Sequence, residues 1–234
     1  MANKVRNQPG APVSGRKSSV QEPNPLDNIM AIYEKNKKAI STGTTIVLLL
    51  IVGYFAYTRL YKGPEEEKAA TALFFPQQYF AADSLNLALN GDGKNAGFIK
   101  IGKKYSSTPA GNLSHYYEGL CYLKMGDYKK AITALKDFDG QGTSLGNMAQ
   151  GVLGEAYMED GQGAKAIDCF KKATDDKEDA LVTPMYLYQL GLAYIAANNT
   201  NDAKAAFKRI RDEYPKSMQA RDMDKELARL GELN

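Results

Sequence analysis

Tryptophan is absent from this chain, histidine occurs once and cysteine twice in 234 residues. These shortages exclude several kinds of chemistry. A metal site draws on a set of ligands, and a base–nucleophile pair needs its partners at defined spacing. His115, standing alone, offers neither. Cys121 and Cys169 are too few for a disulfide framework and read as small buried hydrophobes, a single bridge in an oxidising compartment being the alternative. No glycine-rich phosphate loop opens a helix. "NGDGKN", Asn90 to Asn95, holds one acidic residue and reads as a turn, not a calcium loop. No catalytic residue, metal or cofactor is expected, nor a small-molecule substrate.

A large charge imbalance is lacking too. The formal net charge is +3, and the excess is local. Residues 1–38 carry seven basic and three acidic groups, whereas residues 59–234 carry 23 and 24. That balance gives no reason to expect a nucleic-acid partner.

Between Lys38 and Arg59 charge vanishes altogether, in "AISTGTTIVLLLIVGYFAYT". Twenty residues of helix at 1.5 Å each span about 30 Å, the thickness of a bilayer's hydrocarbon core. Tyr54, Phe55, Tyr57 and Tyr61 cluster at the far end, as an interfacial aromatic belt would. A single membrane span over about 39–58 is expected, uncleaved, because 38 residues precede it and Ala56-Tyr57-Thr58 is a poor cleavage site. No cysteine near the start provides a lipid attachment point.

The flanks are nearly tied, Lys35, Lys37 and Lys38 against Arg59, Lys62 and Lys68. Adding Lys4, Arg6, Arg16 and Lys17 places the N-terminus in the cytoplasm and the larger C-terminal part across the membrane. Residues 1–25 have little apolar content and are expected to be disordered. Residues 26–62 form a juxtamembrane helix and the anchor, with Leu26, Ile29, Met30, Ile32 and Tyr33 at helical spacing. Gly63-Pro64 is expected to break the chain between anchor and domain.

Beyond that break the chain repeats itself. Gly119, Tyr122, Ala131 and Leu135 share their offsets with Gly154, Tyr157, Ala166 and Phe170, and with Gly191, Tyr194, Ala203 and Phe207. A period in the mid-thirties holding two helical patterns marks a helical-hairpin solenoid. The turns are Met125-Gly126-Asp127, Asp160-Gly161-Gln162-Gly163 and Asn198-Asn199-Thr200-Asn201. Glycine inside a helix costs about 1 kcal/mol against alanine. Close helix contact explains accepting that cost, with Ala131, Ala166 and Ala203 expected opposite the three glycines. Gly151 is expected to lie off this contact. Residues 65–110 read as a degenerate first unit, its first helix bent or broken by Pro76, residues 111–217 as three full units, and residues 218–234 as a capping helix.

Leu153-Gly154, Leu190-Gly191, the three tyrosines, the three alanines, Phe170, Phe207, Ala173 and Pro215 resemble the tetratricopeptide repeat family. Its tryptophan position carries His115, Gln150 and Leu187, and Glu118, Phe138 and Ile210 also depart from the pattern. His115 is then a packing residue. The resemblance implies an all-α, right-handed helical-hairpin solenoid behind a single transmembrane helix, with a concave wall that binds proteins or peptides. Matched position by position, that wall consists of Leu113, Tyr116, Leu120 and Leu123, then Met148, Gly151, Glu155 and Met158, then Met185, Tyr188, Leu192 and Ile195. The carboxylate clamp of some family members is missing, its places being held by Tyr116, Leu120, Val152, Met185 and Gln189.

The layout is similar to a bacterial family whose best-known members are ancillary subunits of the Sec translocon. That resemblance implies a non-enzymatic, inner-membrane protein with a periplasmic repeat domain, assisting protein export or envelope quality control. Its partners would be the translocon, unfolded envelope clients or periplasmic chaperones. The alternative is a structural scaffold for an envelope complex.

Overall fold

The computed structural model describes residues 25–232. The disorder expected over residues 1–25 and the basic residues Lys4, Arg6, Arg16 and Lys17 lie outside it, Pro25 excepted. The chain divides into two units, Met1–Phe55 and Ala56–Asn234.

Helix α1, Pro25–Tyr57, runs 33 residues without an internal proline. Leu49, Leu50 and Val52 are each more than 60% exposed, at 66%, 68% and 63%. Burying such side chains is worth about 1.5–3 kcal/mol apiece, so water is a poor environment for this surface. Two of its threonine hydroxyls are satisfied within the helix: Thr44 Oγ1 donates to the Ile40 carbonyl and Thr45 Oγ1 to that of Ser41, both at 2.9 Å. A lipid environment demands that economy. Among the described residues one helical stretch, Tyr33–Ala81, is long and apolar enough to cross a membrane.

In the second unit, Thr58–Lys62 forms a π-turn and helix α2 follows over Gly63–Ala81. The break expected at Gly63-Pro64 does not occur. Gly63 has helical angles, φ −59° and ψ −53°, and its N–H bonds the Thr58 carbonyl. The wider turn resets the hydrogen-bond ladder just where Pro64 enters at the start of α2, where a missing N–H costs nothing. Pro76 likewise does not break α2; it is buried within it.

Helices α3, Leu85–Asn90, and α4, Phe98–Lys104, replace the single second helix of a regular hairpin. The loop between them is closed by a β-bridge, Gly91 to Ala96. Asp92 holds it, accepting bonds from the Lys94 and Asn95 backbone N–H groups, the Asn95 amide and the Tyr79 hydroxyl. Phe98, Ile101, Leu73 and Leu89 pack there with Cys121 as one cluster.

Three hairpins follow: α5 (Pro109–Lys124) with α6 (Tyr128–Asp137), α7 (Ser144–Glu159) with α8 (Gly163–Ala173), and α9 (Val182–Ala196) with α10 (Thr200–Glu213). Thr108 and Thr143 cap α5 and α7 by accepting from the Gly111 and Gly146 N–H groups. Each hairpin turn contains one left-handed residue, Gly126, Gly161 or Asn198 at φ 76°, 75° and 57°. The N–H groups of Asp127, Gln162 and Asn199 reach back to the carbonyls of Tyr122, Tyr157 and Tyr194, at 2.8–2.9 Å. With the Gly126, Gly161 and Asn198 N–H groups donating to the Leu123, Met158 and Ile195 carbonyls, they form the paired bonds of a Schellman ending.

The three helix-pair contacts follow one rule. A Cβ on Gly119 would lie 2.4 Å from Leu135 Cγ, on Gly154 2.6 Å from the Phe170 ring, and on Gly191 2.2 Å from the Phe207 ring. The expected partners, Ala131, Ala166 and Ala203, are fully buried but are not what fills the glycine notch. A large side chain from the second helix does so. Gly151 is not free either: a Cβ there would meet Tyr186 Cζ at 2.0 Å, so α7 also closes tightly on the next unit. The last turn of 3-10 helix, Gln219–Asp222, leads into α11, Met223–Arg229, whose Met223 and Leu227 complete the main cluster.

Candidate functional site

α5, α7 and α9 carry the residues expected on one binding wall, and the fold divides them. Tyr116 is only 7% exposed, its ring 5.5 Å from that of Phe138. Burial pushes its phenol up to about 12. Tyr116 is therefore core, and its expected place on an open wall is corrected: it packs against Phe138 within the main cluster that the three hairpins share. Gly151 is corrected for the same reason, being covered by Tyr186. Leu113, Leu120, Met148 and Met185 are half-buried and pack against the main cluster. Tyr188 stacks at a tilt on Phe207, ring centroids 5.8 Å apart. Leu192 and Ile195 remain the open members, each 38% exposed.

Four of the expected residues do come together. Leu123, Glu155, Met158 and Leu192 line a depression of about 630 Å³ shared by all three hairpins. Tyr128, Glu159, Phe170, Gln189 and Ala193 complete its wall. Leu113, Tyr116, Leu120, Met148, Met185, Tyr188 and Ile195 do not line it. Sequence reasoning missed Tyr128 and Phe170, because the expected wall was drawn from first helices alone and these two belong to second helices. It missed Glu159 although Glu155 and Glu159 stand one helical turn apart, a spacing that puts both on one face.

The depression's charge is all of one sign. Glu155 and Glu159 are its charged residues, and α9 contributes none. Burial, reinforced by Glu159, holds the Glu155 carboxyl above the usual carboxylate range. The Glu159 charge, with a hydrogen bond, raises the Tyr128 phenol.

Outside the depression, His115 leans on Gly102 of α4, where a Cβ would lie 2.9 Å from its Cε1. Its Nδ1 lies 3.8 Å from Glu118, which raises the imidazole's pKa. It thus packs between helices and also forms an ion pair when protonated. Cys121 and Cys169 are free and buried in different clusters, and burial pushes the Cys121 thiol up to about 12. Both are poor nucleophiles.

Helical hairpins stacked in register define a repeat solenoid. Two tetratricopeptide repeat models match the sequence, over residues 116–180 and 186–217. A solved structure of the nearly identical TPR-like repeats of a Podospora anserina kinesin light chain, a single-substitution variant, aligns at TM-score 0.55 and 15% identity. The alignment covers 70% of this chain and 85% of that one, a likeness of fold alone. No curated protein matches the chain. Residues 116–180 and 186–217 thus match tetratricopeptide repeats, which serve typically as non-enzymatic protein-interaction modules.

Proposed function

We propose that this protein is a membrane-tethered binding module of a bacterial envelope. Residues 39–58 span the inner membrane, the N-terminus is cytoplasmic and the repeats face the periplasm. There the repeats hold segments of other proteins during export or quality control, beside the Sec translocon. The uncharged, unburied stretch of α1 supports the tether, and the excess of Lys and Arg before it supports the orientation. The observation that carries the binding role is the depression, where the exposed Leu192 and the half-buried Leu123 and Met158 offer apolar surface that the described residues leave open. A few such contacts, each worth about 1.5–3 kcal/mol before ordering costs, give weak, exchangeable binding.

The topology is tested with a reporter active only outside the cytoplasm, fused after Asn234. Activity, with full-length protein retained in membranes after carbonate extraction, is the expected result. A shortened, soluble product overturns the tether. The binding role is tested by placing a photocrosslinking residue at Leu192. Cross-links to many newly exported, unfolded chains are expected, and one folded partner instead identifies a scaffold.

A further inference from the structure

The depression at the junction of the three hairpins is apolar and acidic together. Its wall offers Leu123, Met158 and Leu192 beside two carboxylates, and no lysine, arginine or histidine. The basic residues of the last two hairpins lie elsewhere, on the second helices: Lys165, Lys171 and Lys172 on α8, Lys204, Lys208, Arg209 and Arg211 on α10. Several are engaged there, Lys165 over the Tyr157 ring, Lys171 over that of Tyr194, and Lys208 with Glu232. α7 has Glu155 and Glu159 as its only charged residues, and α9 has none.

This arrangement runs against the chain's own stability. Like charges four residues apart on a helix repel by about 0.2–0.5 kcal/mol. Half-burying one of them adds a desolvation cost, visible in the raised Glu155 carboxyl. The charge also reaches inward, since Glu155 contributes to raising the buried phenols of Tyr116 and Tyr186. A cation in the depression would relieve all three effects at once. Among the described residues no such cation lies in the wall. The volume, about 630 Å³, suits a few side chains rather than a folded domain.

We infer that the depression receives an extended peptide segment in which a lysine or arginine lies beside large apolar side chains, the cation meeting Glu155 and Glu159 and the apolar groups meeting Leu123, Met158 and Leu192. The inference rests on the binding role proposed above and adds the chemistry of the occupant. Charge complementarity decides it: an anionic or C-terminal carboxylate ligand would be repelled by the same two carboxylates. A neutral apolar segment would cover the half-buried Glu155 carboxylate without supplying a cation.

The experiment uses the full-length protein in a non-ionic detergent. Three labelled peptides of alternating sequence, Leu/Lys, Leu/Gln and Leu/Glu, each carry a central photocrosslinking residue. The Leu/Lys peptide should bind most tightly, with cross-links on α7 and α9, and should weaken as salt rises from about 0.05 to about 0.5 M. The double variant E155Q/E159Q should bind it about tenfold less tightly while binding Leu/Gln unchanged. Both substitutions remove repulsion, so thermal stability should hold or rise, which separates loss of binding from loss of fold. If Leu/Gln and Leu/Glu bind as tightly and cross-link at the same place, the cationic occupant is overturned and the binding depression stands. If the cross-links fall elsewhere and Leu192→Gln changes nothing, both fail.

Discussion

Replacing Gly151 with alanine is the sharpest test of how these hairpins are joined. In an isolated helix the change would stabilise, by about 1 kcal/mol. Here the added methyl would sit 2.0 Å from Tyr186 Cζ and 2.2 Å from both Cε atoms. Carbon atoms pack at about 3.5–4.0 Å, so the ring would have to retreat by about 1.5 Å. Tyr186 has nowhere to go. It is 2% exposed, stacked on Phe170 with centroids 6.2 Å apart, and its hydroxyl donates to the Met148 carbonyl at 3.2 Å. Retreat breaks that hydrogen bond, worth about 0.5–1.5 kcal/mol, on top of about 1–3 kcal/mol for overpacking. Set against the helix gain, Gly151→Ala should destabilise by about 2 kcal/mol. Gly163→Ala is the control: it lies at the start of α8 with nothing within 4 Å of its Cβ position, and should be neutral or stabilising. Lacking tryptophan, the protein is best followed by far-ultraviolet circular dichroism during urea unfolding. The pair Gly151→Ala and Tyr186→Leu should be less than additive, because the smaller side chain makes room. Equal midpoints for Gly151→Ala and Gly163→Ala would refute the inter-hairpin contact.

Gly154→Ala should cost about 1–3 kcal/mol through the Phe170 ring, and Phe170→Leu should recover part of it, since the first hairpin already pairs Gly119 with Leu135; an unrescued loss would place the strain elsewhere. His115 supplies a pH signature. Glu118 raises its folded pKa, so its stabilisation is complete below the unfolded value of about 6.5 and lost as pH rises through the folded pKa. His115→Gln should therefore lower the urea midpoint more at about pH 5.5 than at about pH 8, and an equal loss at both would reduce His115 to packing.

Much of the repeat domain was legible in the sequence because local chemistry and short spacing dictate it. The period recurs in the Gly-Tyr-Ala series, and the turns declare themselves through Gly126, Gly161 and Asn198, residues that tolerate left-handed angles. The uncharged run over 39–58 likewise needs no tertiary information to read as a helix of bilayer length. Gly63-Pro64 misled because a π-turn lets proline enter at a helix start, an option the pair of letters does not reveal.

What lies between units was decided only in three dimensions. Repetition places Gly154 and Gly151 on one helix, but which ring fills each notch depends on how closely neighbouring hairpins cross. The second-helix Phe170 takes one and the next unit's Tyr186 takes the other. The same crossing buries Tyr116, leaves Leu192 open and brings Tyr128 and Glu159 to a depression whose other wall is α9. A period orders residues along a helix. The angle at which side chains interlock then determines which of them solvent, or a partner, can reach.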